Sequence, residues 1–372
     1  MLARTSHWII VLVLSIGCAA PPTPTSAPVP SPTPAATVRP IASPTPAVTM
    51  QPTPAVEEHP DSYRIAFASE RDNLPGIYLT DLRGRSVYLL TRQSMSADHP
   101  AWSPDGSRLA FTAQIGARHE LFVVDMDGLN LVQLTHEAGD NFYPTWSPDS
   151  LHIAFASNRD GPYQIYVVQA DGSQVRRLTD TAVREEKPAW SPDGSHIAFM
   201  STRDGQAEVY VMQADGSNPA RLTNHPASDL NPAWSPDGKL IAFNSTRNGN
   251  DFGIYLMKAD GTNVRSLLFG GGWYEKPAWS PDGKHIAFYS NRDGNADVYV
   301  MQADGTDIQR VTVQAGWDGQ PAWSPGPIGL IAAADCPVTT PNGRQPPDEQ
   351  TQSTAYHGNG SVWTALPEAG PL

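Results

Sequence analysis

The chain has 372 residues, enough for two or three average domains or for one large repeat architecture. A formal net charge of −13 argues against nucleic acid and against an electrostatic hold on anionic lipid. Two cysteines exclude a disulfide-stapled scaffold and a CxxC-type zinc site.

Residues 1–18 read as an address. Arg4 precedes an apolar run from Trp8 to Ile16, then Gly17 and Cys18, which is the layout of a secretory signal. The run is too short for a bilayer, which needs about 20 residues. Leu14-Ser15-Ile16-Gly17-Cys18 resembles a bacterial lipobox, although Ser15 stands where that motif usually carries Leu. The resemblance implies lipidation of Cys18; an ordinary signal peptide with an incidental cysteine is the alternative. Residues 19–61 read as a Pro/Thr-rich linker. Of the 36 prolines, 13 fall between Pro21 and Pro60, which pins the backbone to extended polyproline II and makes a tether.

Residues 62–333 repeat themselves. Trp-Ser-Pro occurs at Trp102, Trp146, Trp190, Trp234, Trp279 and Trp323, at intervals of 44, 44, 44, 45 and 44 residues. That period is the length of a four-stranded propeller blade. In the unit at Trp190, Pro188 to Ser191 predicts a short strand and Pro192-Asp193-Gly194 a tight turn. Ile197 to Ser201 and Glu208 to Met212 predict strands two and three, apolar on both faces as in a sheet packed between neighbours. Ala214-Asp215-Gly216 turns the chain into a short outer strand at Arg221 to Thr223. Residues 64–91 supply three strands without a Trp-Ser-Pro, and residues 321–325 supply Trp-Ser-Pro without a blade. Together they predict an all-β, six-bladed propeller closed by pairing the N-terminal three strands with a C-terminal one. Residues 334–372 carry no repeat and read as a disordered tail.

The string Pro-Ala-Trp-Ser-Pro-Asp-Gly, Ile-Ala-Phe, Ser-x-Arg-Asp-Gly, Ile/Val-Tyr-Val-Met, Ala-Asp-Gly resembles the TolB-type propeller repeat over residues 62–325. The resemblance implies a periplasmic protein in which an α/β domain precedes the propeller. Here a lipid anchor and a Pro-rich stalk are expected in that domain's place. It further implies that the channel mouth docks a partner lipoprotein. Related repeats occur in peptidases and pectin lyases, so the resemblance leaves the chemistry open.

One ring face should carry the near-invariant Pro-Asp-Gly and Ala-Asp-Gly turns, the other the variable inter-blade loops, where recognition is usually built. Register places one residue per blade at the channel mouth: His99, Tyr143, Lys187, Asn231, Lys276 and Gln320. Phe142, Glu186, Trp273, Tyr274, Glu275, Trp317 and Asp318 stand nearby, as does Asp98. Aromatics mixed with both charge signs suit a peptide or protein ligand, although any one aromatic could instead pack its own loop. Asp105, Asp149, Asp193, Asp237 and Asp282 read as turn formers rather than calcium ligands, because calcium takes six or more oxygens. Arg71, Arg159, Arg203, Arg247 and Arg292 recur in register and are expected to pair with a turn aspartate. His99, His136 and His225 read as solvated loop histidines rather than a metal site. No GxSxG, HExxH, P-loop or dinucleotide motif is present, so no catalytic residue, metal or cofactor is expected. The reading is a monomeric, non-enzymatic, extracytoplasmic scaffold for an envelope protein or peptide. A polysaccharide-binding or polysaccharide-degrading propeller with its site at the mouth is the alternative.

Overall fold

The computed structural model describes residues 63–327, except 74, 92–94, 137–138 and 250. Cys18, the linker and the tail from residue 334 lie outside the described residues.

Six four-stranded antiparallel sheets follow one another. Blade 1 joins β1 (Arg64–Ser69), β2 (Gly76–Asp81) and β3 (Val87–Leu89) to β24 (Asp318–Trp323). Blade 2 holds β4 (Ala97–Trp102), β5 (Arg108–Ile115), β6 (Arg118–Asp125) and β7 (Val132–Gln133). Blade 3 holds β8 (Asn141–Trp146), β9 (His152–Ser157), β10 (Gln164–Gln169) and β11 (Arg176–Arg177). Blade 4 holds β12 (Glu185–Trp190), β13 (His196–Ser201), β14 (Glu208–Gln213) and β15 (Ala220–Arg221). Blade 5 holds β16 (Asp229–Trp234), β17 (Leu240–Ser245), β18 (Gly253–Lys258) and β19 (Arg265–Leu268). Blade 6 holds β20 (Tyr274–Trp279), β21 (His285–Ser290), β22 (Asp297–Gln302) and β23 (Gln309–Arg310). Ring closure is therefore as the repeat predicts. β24 sits in register with β1 through Ile65 opposite Trp323, and Ser324 exchanges hydrogen bonds with the Arg64 backbone at 2.8 and 2.9 Å.

Turn chemistry explains the strand spacing. In each Pro-Asp-Gly turn the aspartate accepts from the preceding serine hydroxyl and from the backbone two residues on, as Asp193 does from Ser191 at 2.6 Å and Ser195 at 3.0 Å. These donors pull the Asp193 and Asp237 carboxyls down to about 2. The turn carboxylates are thus committed to their own turns.

Blades pack through a repeated aromatic pair. Phe67, Phe111, Phe155, Phe199, Phe243 and Phe288 are fully buried, each 5.6–6.0 Å from a ring on the third strand of its own blade. Full burial of such a ring is worth about 1.5–3 kcal/mol. Arg71, Arg159, Arg203 and Arg247 lie 4.6–5.8 Å from the two ring centroids of their blade. Their partner differs from the expected turn aspartate. Arg71 binds Asp318 at 2.6 Å, Arg203 binds Glu185 at 2.7 Å and Arg247 binds Asp229 at 2.5 Å; Arg159 donates to Asn141 at 2.9 Å. Each partner is the first residue of the inner strand, level with the arginine at the end of strand two that lies opposite the Pro-Asp-Gly turn. In blade 6 that position is Tyr274, and Arg292 sits 6.0 Å from its ring.

A belt of indole hydrogen bonds joins neighbouring inner strands. Trp102, Trp146, Trp234, Trp279 and Trp323 each donate Nε1–H to the carbonyl of an alanine in the preceding blade, at 3.0–3.2 Å. Trp190 alone among the six has a buried Nε1 without an acceptor. The corresponding residue of its preceding blade is Thr145 rather than Ala.

Each such bond contributes about 0.5–1.5 kcal/mol. Trp279→Phe is therefore expected to lower the unfolding free energy by about 1 kcal/mol more than Trp190→Phe. Denaturant unfolding of both variants reads the difference; equal losses would remove the belt from the account. Arg203→Met leaves the fully buried Glu185 carboxylate without its cation and should lose about 3–5 kcal/mol by the same assay.

Candidate functional site

Each inner strand carries one extra residue relative to its neighbour. The register shifts between Asp98 and Ala101, Phe142 and Thr145, Glu186 and Ala189, Leu230 and Ala233, and Glu275 and Ala278. In blade 1 the shift lies between Gly319 and Ala322, opposite Ala66 and Ala68. Every shift contains the residue before the inner-strand proline, and each of these six residues adopts a left-handed backbone. The φ values are His99 54°, Tyr143 58°, Lys187 58°, Asn231 51°, Lys276 50° and Gln320 57°. Asparagine tolerates this region; for the other five it costs about 1–2 kcal/mol each. Bulges re-aim side chains. Here they gather six side chains from six blades that in-register strands would leave apart.

Tyr143, Lys187, Asn231 and Lys276 line a central cavity of ≈ 330 Å³ whose deeper wall is made of the Pro-Ala-Trp segments. The His99 ring stands edge-on to Tyr143 at 4.3 Å, and Lys276 Nζ donates to Gln320 Oε1 at 3.1 Å. Lys187 and Lys276 place their ammonium groups 5.4 and 6.0 Å from the centre of the same Tyr143 ring. Asn231 Nδ2 donates to Asn244 Oδ1 at 2.9 Å, and Asn244 also accepts from the Lys276 backbone at 2.8 Å. The mouth residues selected by register thus do come together.

Burial sets the electrostatics. Desolvation pulls Lys276 down to about 8 and lowers Lys187, against the pull of nearby carboxylates. It pushes Asp98 up to about 6, partly offset by Lys276. His99 is held well below its ordinary value by burial and by the two lysines, so the ring is neutral at pH 7.

The flanking candidates divide. Phe142 lies 4.5 Å from His119 and 5.9 Å from Tyr143 by ring centroids. Trp273 and Trp317 bracket Tyr289 at 5.3 and 5.9 Å. Trp317 lies so close over Gly319 that a Cβ there would meet its ring at 2.5 Å. Glu275 accepts from the Tyr289 hydroxyl at 3.1 Å, and Glu186 pairs with Arg184 at 2.7 Å. Glu186 is 2% exposed beneath Arg184 and offers a ligand little surface, and Tyr274 and Asp318 sit inside their blades, 2% and 0% exposed, with none. Tyr274 and Asp318 are two residues before the bulge, where the strand faces the blade interior.

Sequence reasoning missed Asn244 and Tyr289. Both occupy the fourth place of Ile-Ala-Phe-x-Ser, where the other blades have Ala68, Thr112, Ala156 and Met200. One variable position inside an otherwise fixed string was the available signal. His225 accepts from the Ala227 backbone at 3.1 Å and does not approach His99. Among the described residues no three His, Cys, Asp or Glu side chains are placed to hold a metal ion.

A sequence profile described as the TolB beta propeller domain matches residues 45–187 and 182–277. TolB from Acinetobacter baumannii is similar over 72% of this chain and 67% of its own, with 23% identity and a TM-score of 0.64. A putative TolB from Agrobacterium tumefaciens is similar over 71% of this chain and 95% of its own, with 24% identity and a TM-score of 0.60. The Kuenenia stuttgartiensis hydrazine synthase shares the fold over 75% of this chain and 51% of its own, at 16% identity and a TM-score of 0.61. A search of curated proteins gave no match.

Lys276 carries a stability cost with a pH signature. Its folded-state value lies below its unfolded one, so between about pH 8 and 10.5 the unfolded chain binds more protons and stability rises with pH. Lys276→Met removes that cost. The variant should be more stable than the parent at pH 7, with the advantage shrinking above pH 8, as read by denaturant unfolding across pH. A constant or inverted difference would contradict the desolvated ammonium.

Proposed function

Since this chain belongs to the TolB β-propeller family, we propose that it is a binding module that presents the variable mouth of its propeller to a protein or peptide of the cell envelope. The observation that carries this reading is the set of six left-handed bulge residues. They are chemically unlike one another, they converge, and five of them cost backbone energy at a place where the repeat could have used glycine. Aromatic anchors at Phe142, Trp273 and Trp317 flank the mouth, with charges of both signs between them, which is the composition of protein-recognition surfaces. We place the protein outside the cytoplasm, held to a membrane by a lipidated Cys18 and distanced from it by the 19–61 linker. The mouth residues form no nucleophile–base pair and each interacts with a neighbour, so we assign binding rather than catalysis.

The test is capture from detergent extracts of the envelope of its own cell by the immobilised protein, alongside Trp273→Ala/Trp317→Ala and Ser195→Ala on the opposite face. A protein retained by the parent and by Ser195→Ala, but at least tenfold less by the tryptophan variant, supports the reading. Retention that is indifferent to the mouth tryptophans contradicts it. Retention of wall or polysaccharide fragments in place of protein moves the function to carbohydrate.

A further inference from the structure

The carboxylates at the mouth are hydrogen-bonded, whereas its ammonium groups keep open donors. Three carboxylates lie there, and each already has a donor. Glu186 has the Arg184 guanidinium at 2.7 Å, Glu275 the Tyr289 hydroxyl at 3.1 Å, and Asp98 the His99 backbone N–H at 3.0 Å. The two ammonium groups are not so served. Lys276 Nζ has one neutral acceptor, Gln320 Oε1. Lys187 Nζ faces the Tyr143 ring, and among the described residues it has neither a hydrogen bond nor an ion pair. Both lie against one ring, from blades 4 and 6, with Asn231 of blade 5 between them in the circle. Beside them His99 Nδ1 is buried without a hydrogen-bond partner. A half-buried ammonium group with open N–H donors is costly and persists where something else supplies the acceptor.

We infer that Lys187 and Lys276 receive a carboxylate of the peptide partner, which enters the mouth on the channel axis over Tyr143. This deepens the binding reading and rests on it. A single negative charge fits better than a phosphate dianion, because Asp98, Glu186 and Glu275 would repel the second charge. The deeper wall of proline, alanine and tryptophan gives the carbons that bear the carboxylate an apolar seat. An acidic residue flanked by apolar ones meets both demands. The carboxylate comes from an acidic side chain or from a chain terminus.

The chain has five lysines, at 187, 239, 258, 276 and 284, so protein labelled with 13C at lysine Cε gives five assignable methylene signals. Lys187→Gln and Lys276→Gln assign the two at the mouth. The purified protein is titrated at pH 7 with acetyl-Leu-Glu-Leu-amide, with acetyl-Leu-Gln-Leu-amide, with the free acid of the Gln peptide, and with glucuronate. Shifts of the Lys187 and Lys276 signals with the Glu amide identify a side-chain carboxylate; shifts with the free acid identify a chain terminus. The Gln amide should leave both signals in place, and the other three lysines serve as controls. The double Gln variant should weaken binding of the active peptide by about ten- to a hundredfold, the worth of a charged hydrogen bond. Equal binding of the Gln amide, no shift with any peptide at millimolar concentration, or a response to glucuronate alone would each overturn the assignment. The captured envelope protein separates this failure from that of the parent reading. If Trp273→Ala/Trp317→Ala releases it and Lys187→Gln/Lys276→Gln does not, only the carboxylate assignment falls; if neither releases it, both do.

Discussion

The hydrogen bond from each inner-strand indole to an alanine carbonyl of the preceding blade is the contact on which the architecture turns. It fixes the spacing between neighbouring inner strands at their C-terminal ends, close to the Pro-Asp-Gly face. Five such bonds around the circle, with β24 completing blade 1, close a ring whose inner edges are short and protected. The opposite ends of the same strands are held by buried polar side chains instead: Asp318 to Arg71, Glu185 to Arg203, Asp229 to Arg247. Between these two anchorages lies the bulge. Because the strand is secured on both sides of it, one residue per blade can take a backbone conformation that it would not choose locally.

That arrangement separates stability from recognition within a single six-residue strand. The repeated residues satisfy themselves: turn aspartates bind their own serines, arginines stack on their own Phe and Tyr, and threonine hydroxyls accept from third-strand amides, as Thr223 does from Val209 at 2.9 Å. At and beside the bulge less is satisfied. Lys187 and Lys276 are desolvated, His99 has an unfilled nitrogen, and Asp98 is held partly protonated near neutral pH. Desolvated charges are gathered at the mouth, which is the ordinary trade between stability and function.

Much of this was legible beforehand, for physical reasons. A 44-residue period, Asp-Gly turns and strands apolar on both faces leave little besides a propeller, and the split Trp-Ser-Pro unit gives its closure. Register alone also named the six mouth positions, because the proline after each of them marks the place. Register could not show the bulge, and nearness in sequence therefore grouped Tyr274 and Asp318 with the mouth when they face the blade interior. The partners of the arginines were misread because contact across a blade depends on which ends of two strands are level, and sequence distance hides that. Asn244 and Tyr289 escaped notice because their strand is otherwise framework; only the variability of that one position marks them.

The central claim is that the six bulge residues serve the ligand and not the ring. It is tested most directly by the thermal unfolding of one variant in which His99, Tyr143, Lys187, Asn231, Lys276 and Gln320 are all glycine. Glycine relieves left-handed strain of about 1–2 kcal/mol at the five positions other than Asn231 and costs about 0.5–1 kcal/mol in unfolded-chain entropy at all six, a gain of a few kcal/mol that the packing lost at Tyr143 and His99 offsets. The account predicts one cooperative transition within a few degrees of the parent. Loss of cooperativity, or a midpoint lowered by tens of degrees, would show that the mouth is part of the framework and would contradict the account.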